Sequence, residues 1–508
     1  MTTSSVFRRR AALVVAASAV SLILGHLWLT NYDSLPDLPR LKSLLHPVED
    51  NTALLQNLPD LESSLSVTEG DDNTLDFVRR ASESGHVTFS AEFKYTKRCF
   101  QEADGFDIDR HDIANTVEPL ITEHFLQVKL DQTGPVTTEP CAALSIPIAK
   151  PYPENATYHN LAFGMATTFS RLVEAFDSIS HWASGSGSLL VVIVEDYTEH
   201  QRGISELLAH YHKAQVNATF IPPVSSRHST SQSHFMVLNT MIVMSGNETE
   251  WFGLLDDDTF FPHLAPLSAA LGILDHDDKD LYVGALSEDW PSLEKFGLMA
   301  FGGAGAYISA HLARKIGAMQ TARQCLRESP PDFGDVLIRD CIYRHSNARL
   351  TVLPNLFQHD LTRDMRGFFE SGIEPLNLHH WNSWYKEPVV AMARAAKFCG
   401  CVCFLQRFAF GSDTILSNGY SISIYANGLG SIDLAKMERT WGNAAGEEDL
   451  KWAYTMGPMR DRVPDDERKT YYLQYTEVVG QLMRQLYVRK GSGDTGSSDE
   501  VVELVWMR

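Results

Sequence analysis

Positive charge is in short supply. Against 64 Asp and Glu the chain carries 43 Lys and Arg, a net charge of −21 over 508 residues. Binding to nucleic acid needs a basic surplus to neutralise phosphates, so that partner class is excluded. Zinc-finger spacing is missing too. The 7 cysteines stand at 99, 141, 325, 341, 399, 401 and 403, and no C-x-x-C pair is answered by a second one. They allow up to three disulfides with one thiol left over, in an oxidising compartment and with the pairing open. The C-G-C-V-C run at 399–403 reads as a disulfide or buried thiols rather than a metal knot. No internal repeat is evident.

Long apolar runs are represented at the N-terminus. Arg8, Arg9 and Arg10 precede the uncharged stretch AALVVAASAVSLILGHLWLT, from Ala11 to Thr30. At about 1.5 Å rise per residue such a helix covers the ~30 Å of bilayer hydrocarbon. The apolar region of a cleaved signal peptide is shorter, about 7–15 residues, so an anchor is expected at 11–30. The arginines place a cytoplasmic tail at 1–10 and the remainder in the lumen, a single-pass type II arrangement. Sequons at Asn155, Asn217 and Asn247 agree with a lumenal body.

Residues 31–85, rich in Pro, Asp, Ser and Leu without sustained periodicity, read as a stem. From about 155 onward, buried-strand patterns such as SLLVVIVED (188–196), WFGLL (251–255) and LYVGAL (281–286) alternate with helical ones. ISELLAHYHKA (204–214), SHFMVLNTMIVMSG (233–246) and LAPLSAALGIL (264–274) are the helical stretches. This alternation predicts an α/β domain over 86–411 with a mostly parallel central sheet. YSISIY, YYLQY and VVELVW predict a smaller β-rich accessory region over 412–508.

In such sheets ligands sit beyond the carboxyl ends of strands. WFGLLDDDTFFPH (251–263) puts three carboxylates at one of them. If the strand continues, Asp256 and Asp258 share a side and Asp257 faces away. Two carboxylates on one side suit a hard divalent cation. EF-hand spacing is absent, and the flanking Trp251, Phe252, Phe260 and Phe261 argue against a freely solvated turn. Three further clusters follow. FGGAGAYISAHLARKI (301–316) reads as a glycine turn feeding a helix whose N–H groups suit a phosphate or sugar oxygen. PPDFGDVLIRDCIYRH (330–345) places Asp335 at a helix start, where a first-turn acid is favoured by the helix dipole. LNLHHWNSW (376–384) offers a histidine on each side of a strand.

Taken in order, these clusters resemble the Fringe-like glycosyltransferases of family 31, most nearly the fungal branch of these type II membrane enzymes. LAFGMATTFSRL (161–172), FFESGIEPLNLHHWNSW (368–384) and CFLQRFAFGSDTILSNGYSI (403–422) extend the likeness over roughly 155–506. The resemblance implies a GT-A-type nucleotide-sugar-binding fold and an inverting transfer from a UDP-sugar with Mn2+. The acceptor would be a glycan or glycoprotein hydroxyl, the linkage β1,3 and the compartment the Golgi. By position, Asp256, Asp258 and His379 would hold the metal, with His359 and His380 as competing ligands. Asp257 would contact the ribose or sugar, and Gly302, Gly303, Ala304 and Gly305 would form the turn against donor and acceptor. Thr167, Thr168 and Arg171 would contact the nucleotide, and Asp335 would be the general base. The alternative is a membrane-tethered glycan-binding protein of the same fold without turnover.

Overall fold

The computed structural model describes residues 74–85, 87–103, 108–122, 124–131, 141–148, 152, 156–330, 332–384, 387–400, 403–442, 453–491 and 498–507. The expected cytoplasmic tail, the anchor at 11–30, the sequon at Asn155 and Cys401 lie outside these residues. Among the described residues no helix is long and apolar enough to cross a membrane.

A seven-stranded sheet is built from β1 (Leu161–Thr167), β2 (Leu189–Val194), β3 (Asn217–Ile221), β4 (Trp251–Leu254), β5 (Tyr282–Gly284), β6 (Ala306–Ser309) and β7 (Leu350–Val352). Their spatial order is β7-β5-β6-β4-β1-β2-β3. Only β6 runs against its neighbours; the other pairings are parallel. The unbroken apolar strands follow from cover on both faces. Ala162, Val191, Phe252 and Ile308 pack with α1 (Thr230–Met244) and the helices at 310–345. Phe163, Val192 and Trp251 point the other way, against the helices at 169–183, 201–213 and 264–272. α1 starts at a capping box, with Ser229 and Gln232 satisfying each other's backbone N–H groups.

The second sheet is ten-stranded, and its topology revises the expected domain limits. The N-terminal strand Glu92–Glu102 pairs in parallel with the C-terminal strand Asp499–Met507. Arg407–Phe410 pairs with Thr414–Ser417 across the boundary expected at 411/412. The β-rich region therefore is present, but 86–150 contributes strands to it and 412 divides a hairpin. The stem was also expected to reach 85, yet Thr74–Glu83 is an amphipathic helix whose Leu75, Phe77 and Val78 are buried against Phe93, Tyr95 and Leu486. Its apolar face follows helical spacing, which the polar composition of the surrounding segment masked.

A buried ion network ties the helix Arg366–Glu370 to the second sheet. Glu370, in the helix Arg366–Glu370, accepts from Ser423 Oγ at 2.5 Å and Tyr425 Oη at 2.6 Å. Arg460 reaches both Glu370 (3.2 Å) and Glu438 (2.8 Å). Cations on both buried carboxylates are what make such burial tolerable.

Three disulfides form: Cys99–Cys141, Cys325–Cys341 and Cys399–Cys403. Cys325–Cys341 ties the helix Met319–Glu328 to the helix that carries Asp335, closing a separation of 16 residues. Cys325→Ser is expected to lower unfolding free energy by about 2–4 kcal/mol in urea titration. An unchanged midpoint would mean that this link contributes nothing.

Candidate active site

The carboxyl ends of β1, β4, β5 and β7 and the start of antiparallel β6 lie along one edge of the sheet, and the singled-out residues gather there. The acid triplet does not continue β4: the strand stops at Leu254, and Asp257 and Asp258 lie in a turn. The partition of the triplet nonetheless holds, because its partners enforce it. Asp256 Oδ2 lies 3.6 Å and Asp258 Oδ1 3.1 Å from His379 Nε2. Asp257 faces away, accepting hydrogen bonds from the Thr167 hydroxyl and the Arg171 guanidinium. Thr168 stands one residue past this contact, its hydroxyl 3.3 Å from Ser170 Oγ.

What brings His379 to the triplet is a two-bond bridge. Phe260 N–H donates to Leu378 O at 2.8 Å and Leu378 N–H to Phe260 O at 2.7 Å. The chain leaving the acids is thus pinned beside the chain entering His379. His379 and His380 do not take opposite sides of a strand, as expected; their rings stand 3.7 Å apart. The positive φ of His380, 60°, breaks the alternation. His379 Nδ1 pairs with Gln358 O at 2.7 Å, which fixes the ring with Nε2 toward the carboxylates. His380 Nε2 faces Asp360 at 3.1 Å, and Trp384 stacks flat on its ring at 3.9 Å.

His359, the other histidine considered, is fully buried, with its ring 5.7 Å from that of Phe357 and 5.4 Å from that of Phe368. Burial, followed by the charges of His379 and His380, holds it well below the ordinary imidazole range. A positive φ of 59° turns it inward, while its neighbours Gln358 and Asp360 face the site. The sequence singles out His359 but not these two residues, nor Glu288 and Asn377. Glu288 accepts from the backbone N–H groups of Gln358 (3.2 Å) and Asp360 (3.1 Å). Asn377 accepts from Phe357 N–H at 3.0 Å. An acid just after β5, as in LSED, was the available signal for Glu288.

The glycine turn differs from expectation as well. Gly302–Ala304 is a single 3-10 turn that leads into β6, so there is no helix N-terminus here. Its peptide groups are engaged: Gly302 N–H donates to Asp335 Oδ2 (2.9 Å), Ala304 N–H to Gln358 Oε1 (2.9 Å), and Gly303 O accepts from Thr259 Oγ1 (3.0 Å). The glycines serve close approach. A Cβ on Gly302 would stand 2.8 Å from Asp335 Oδ1 and 3.2 Å from Asp256 Oδ1, and one on Gly303 would overlap the His379 ring. Ala304 and Gly305 are buried behind them, Gly305 at φ 90°.

Asp335 opens α4 (Gly334–His345), which lies beyond α2 (Leu264–Gly272) and α3 (Trp290–Phe296) in the chain. Burial, then the charges of Asp256 and Asp360, push its carboxyl up to about 7, against the pull of the Gly302 N–H. Asp256 goes the other way: burial opposes ionisation, but His379 holds it down at about 2. Burial also disfavours the His379 imidazolium, yet the two carboxylates keep it well above the ordinary range. The site thus contains an ion-paired end and a half-buried acid poised near neutrality, the contrast expected of a binding charge cluster beside a proton acceptor.

The donor set suits a divalent cation. Asp256, Asp258 and His379 offer two oxygens and one nitrogen, and the ligand atoms of Asp258, His379 and His380 all lie within 4.8 Å of one another. His379→Ala is expected to weaken divalent-cation binding by more than the about 10–100-fold of an outer-shell partner. His380→Ala should fall within that range and His359→Ala should leave the titration unchanged. Equal losses for His379→Ala and His359→Ala would overturn the assignment.

No family model matches the chain, and no curated protein sequence does. Among solved structures it is similar to mouse xyloside xylosyltransferase 1 in its apo form, at 11% identity and TM-score 0.26, covering 38% of this chain and 84% of that one. An active-site mutant of LgtC is similar at 12% identity and TM-score 0.27, covering 41% and 76%. So is 4-diphosphocytidyl-2C-methyl-D-erythritol synthase from Anaerococcus prevotii, at 12% identity and TM-score 0.25, covering 39% and 88%. All three likenesses are distant.

Proposed function

We propose that the chain is an inverting glycosyltransferase of GT-A type, related to the Fringe-like enzymes of family 31. It would move a hexose or N-acetylhexosamine from a UDP-sugar to a hydroxyl of a glycan or glycoprotein, in β1,3 linkage. The observation that carries this reading is Asp335: a half-buried carboxyl near 7, held by Gly302 beside the Asp256–Asp258–His379 cluster.

Asp256, Asp258 and His379 would hold Mn2+, which when bound supplies Lewis-acid stabilisation of the charge growing on the leaving diphosphate. Arg171 keeps its guanidinium on Asp257 while 60% of its side chain stays exposed, which suits it to the ribose or diphosphate of the donor. Asp335 commits Oδ2 to the Gly302 N–H and presents Oδ1 on the side where Gly302 has no side chain. Oδ1 takes the proton of the acceptor hydroxyl as its oxygen bonds to C1 and the bond from C1 to the phosphate oxygen breaks. Attack from the face opposite the leaving group inverts the centre, and no enzyme nucleophile is required.

Exposed Asn217 and Asn247 and the disulfides support a lumenal body. Together with the arginine-flanked stretch at 11–30 they support a type II anchor and residence in the Golgi membrane.

Full-length chain in detergent, given UDP-Gal, UDP-GlcNAc or UDP-Glc with and without Mn2+, should release UDP from one of them in a metal-dependent way. Silence with every donor and a broad acceptor panel would overturn the transferase reading. Asp335→Asn should cost about 10²–10⁴ in transfer rate while metal-dependent UDP binding persists; loss of both would make Asp335 structural. The pH profile has a defined sign. A base works deprotonated, so its raised pKa removes activity as pH falls through about 7. Transfer should therefore drop about tenfold per pH unit below that point and level off above it. A profile flat down to pH 5 would exclude a base that titrates near 7.

A further inference from the structure

Beside Asp335 lies an apolar surface that the fold does not explain. Phe333, two residues before the base, is 41% exposed, and Leu298 is 63% exposed. The Phe296 and Phe333 rings meet at 5.3 Å, and the Lys295 ammonium lies 4.7 and 5.6 Å from their centroids. Soluble domains scatter exposed apolar residues singly; a cluster with a polar rim marks a contact surface.

The ledge is built in register with the base. Asp335, Arg339 and Tyr343 follow one another at every fourth residue along α4, so they form one stripe. Arg339 Nη1 donates to Phe296 O, and Tyr343 Oη donates to Leu298 O at 3.0 Å. The helix that positions the carboxyl therefore also fixes the two backbone carbonyls that carry the ledge.

We propose that Phe333, Phe296, Leu298 and Lys295 form the acceptor subsite, and that they take the ring of a pyranoside. This rests on the transferase reading. An acceptor hydroxyl delivered to Asp335 Oδ1 leaves the rest of its sugar to lie on the surface next to the base. The Asp256–His379 side of that carboxyl belongs to the metal and diphosphate, which leaves the ledge. A pyranose offers a face of C–H groups to an aromatic ring and hydroxyls at its rim. The ledge answers with Phe333 and with the three donors of Lys295.

The probes are methyl β-galactoside, methyl β-N-acetylglucosaminide and lactose, with the full-length chain in detergent. Two rates are read: transfer to each probe, and the slow hydrolysis of the UDP-sugar by water. Phe333→Ala should raise acceptor KM by about tenfold or more while donor KM and the hydrolysis rate stay unchanged. Phe333→Trp should restore the acceptor KM, which a merely structural role would not do. Working transfer with unaltered acceptor KM in Phe333→Ala overturns the subsite alone. Neither hydrolysis nor transfer in the unaltered chain overturns the transferase reading and the subsite with it.

Discussion

Three consecutive carboxylates at the edge of a sheet are the constraint around which the site is organised. Two like charges about 4 Å apart repel by roughly 4 kcal/mol at the effective dielectric of a protein surface. The chain answers from opposite sides. Arg171, from the helix after β1, takes Asp257, and His379 takes Asp256 and Asp258. Neither cation serves all three acids, so the triplet is pulled apart by function as well as by charge. The His379 side is replaceable, because a divalent cation competes for the same two carboxylates as the imidazolium proton.

Close approach is the consequence. For His379 and Asp335 to converge on the triplet, the intervening backbone at 302–303 must carry no side chains. Thr259 and Gln358 then satisfy the peptide groups that glycine leaves accessible. The turn has little freedom, since Asp335 at the start of α4 fixes one end and Gln358, beyond β7, the other. Rigidity of this kind matters for a half-buried acid near its titration point, because small displacements change both its solvation and its distance to neighbouring charge.

Part of the seven-stranded sheet was legible because strands covered on both faces read as continuous apolar runs, and β2, β4 and β5 do. The triplet, Asp335 and LHHW were legible as a series. The contacts among them were not: residues near 256, 302, 335 and 379 meet only through the Phe260–Leu378 bridge and the turn before β6. The flanking residues do not tell which of His359 and His379 faces the acids; the structure does, with His359 at a positive φ inside an aromatic cluster. The second sheet was hidden for a similar reason. Strands 92–102 and 499–507 are adjacent in space and some 400 residues apart in the chain, about as non-local as this sequence allows.

Glu288 shows how the second layer limits the charge of the first. Fully buried after β5, it is pushed up to about 8 by burial and then by the charge of Asp360, against two backbone N–H donors. Its proton affinity is raised, while both of its oxygens accept from the 358–360 backbone and orient it. That backbone supplies the carbonyl on which His379 Nδ1 rests and the carboxylate facing His380. An ionised Glu288 would add another negative charge to a region already holding Asp256, Asp258 and Asp360, and would raise Asp335 further. The raised proton affinity of Glu288 limits that charge while its carboxyl clamps the backbone next to His379 and Asp335.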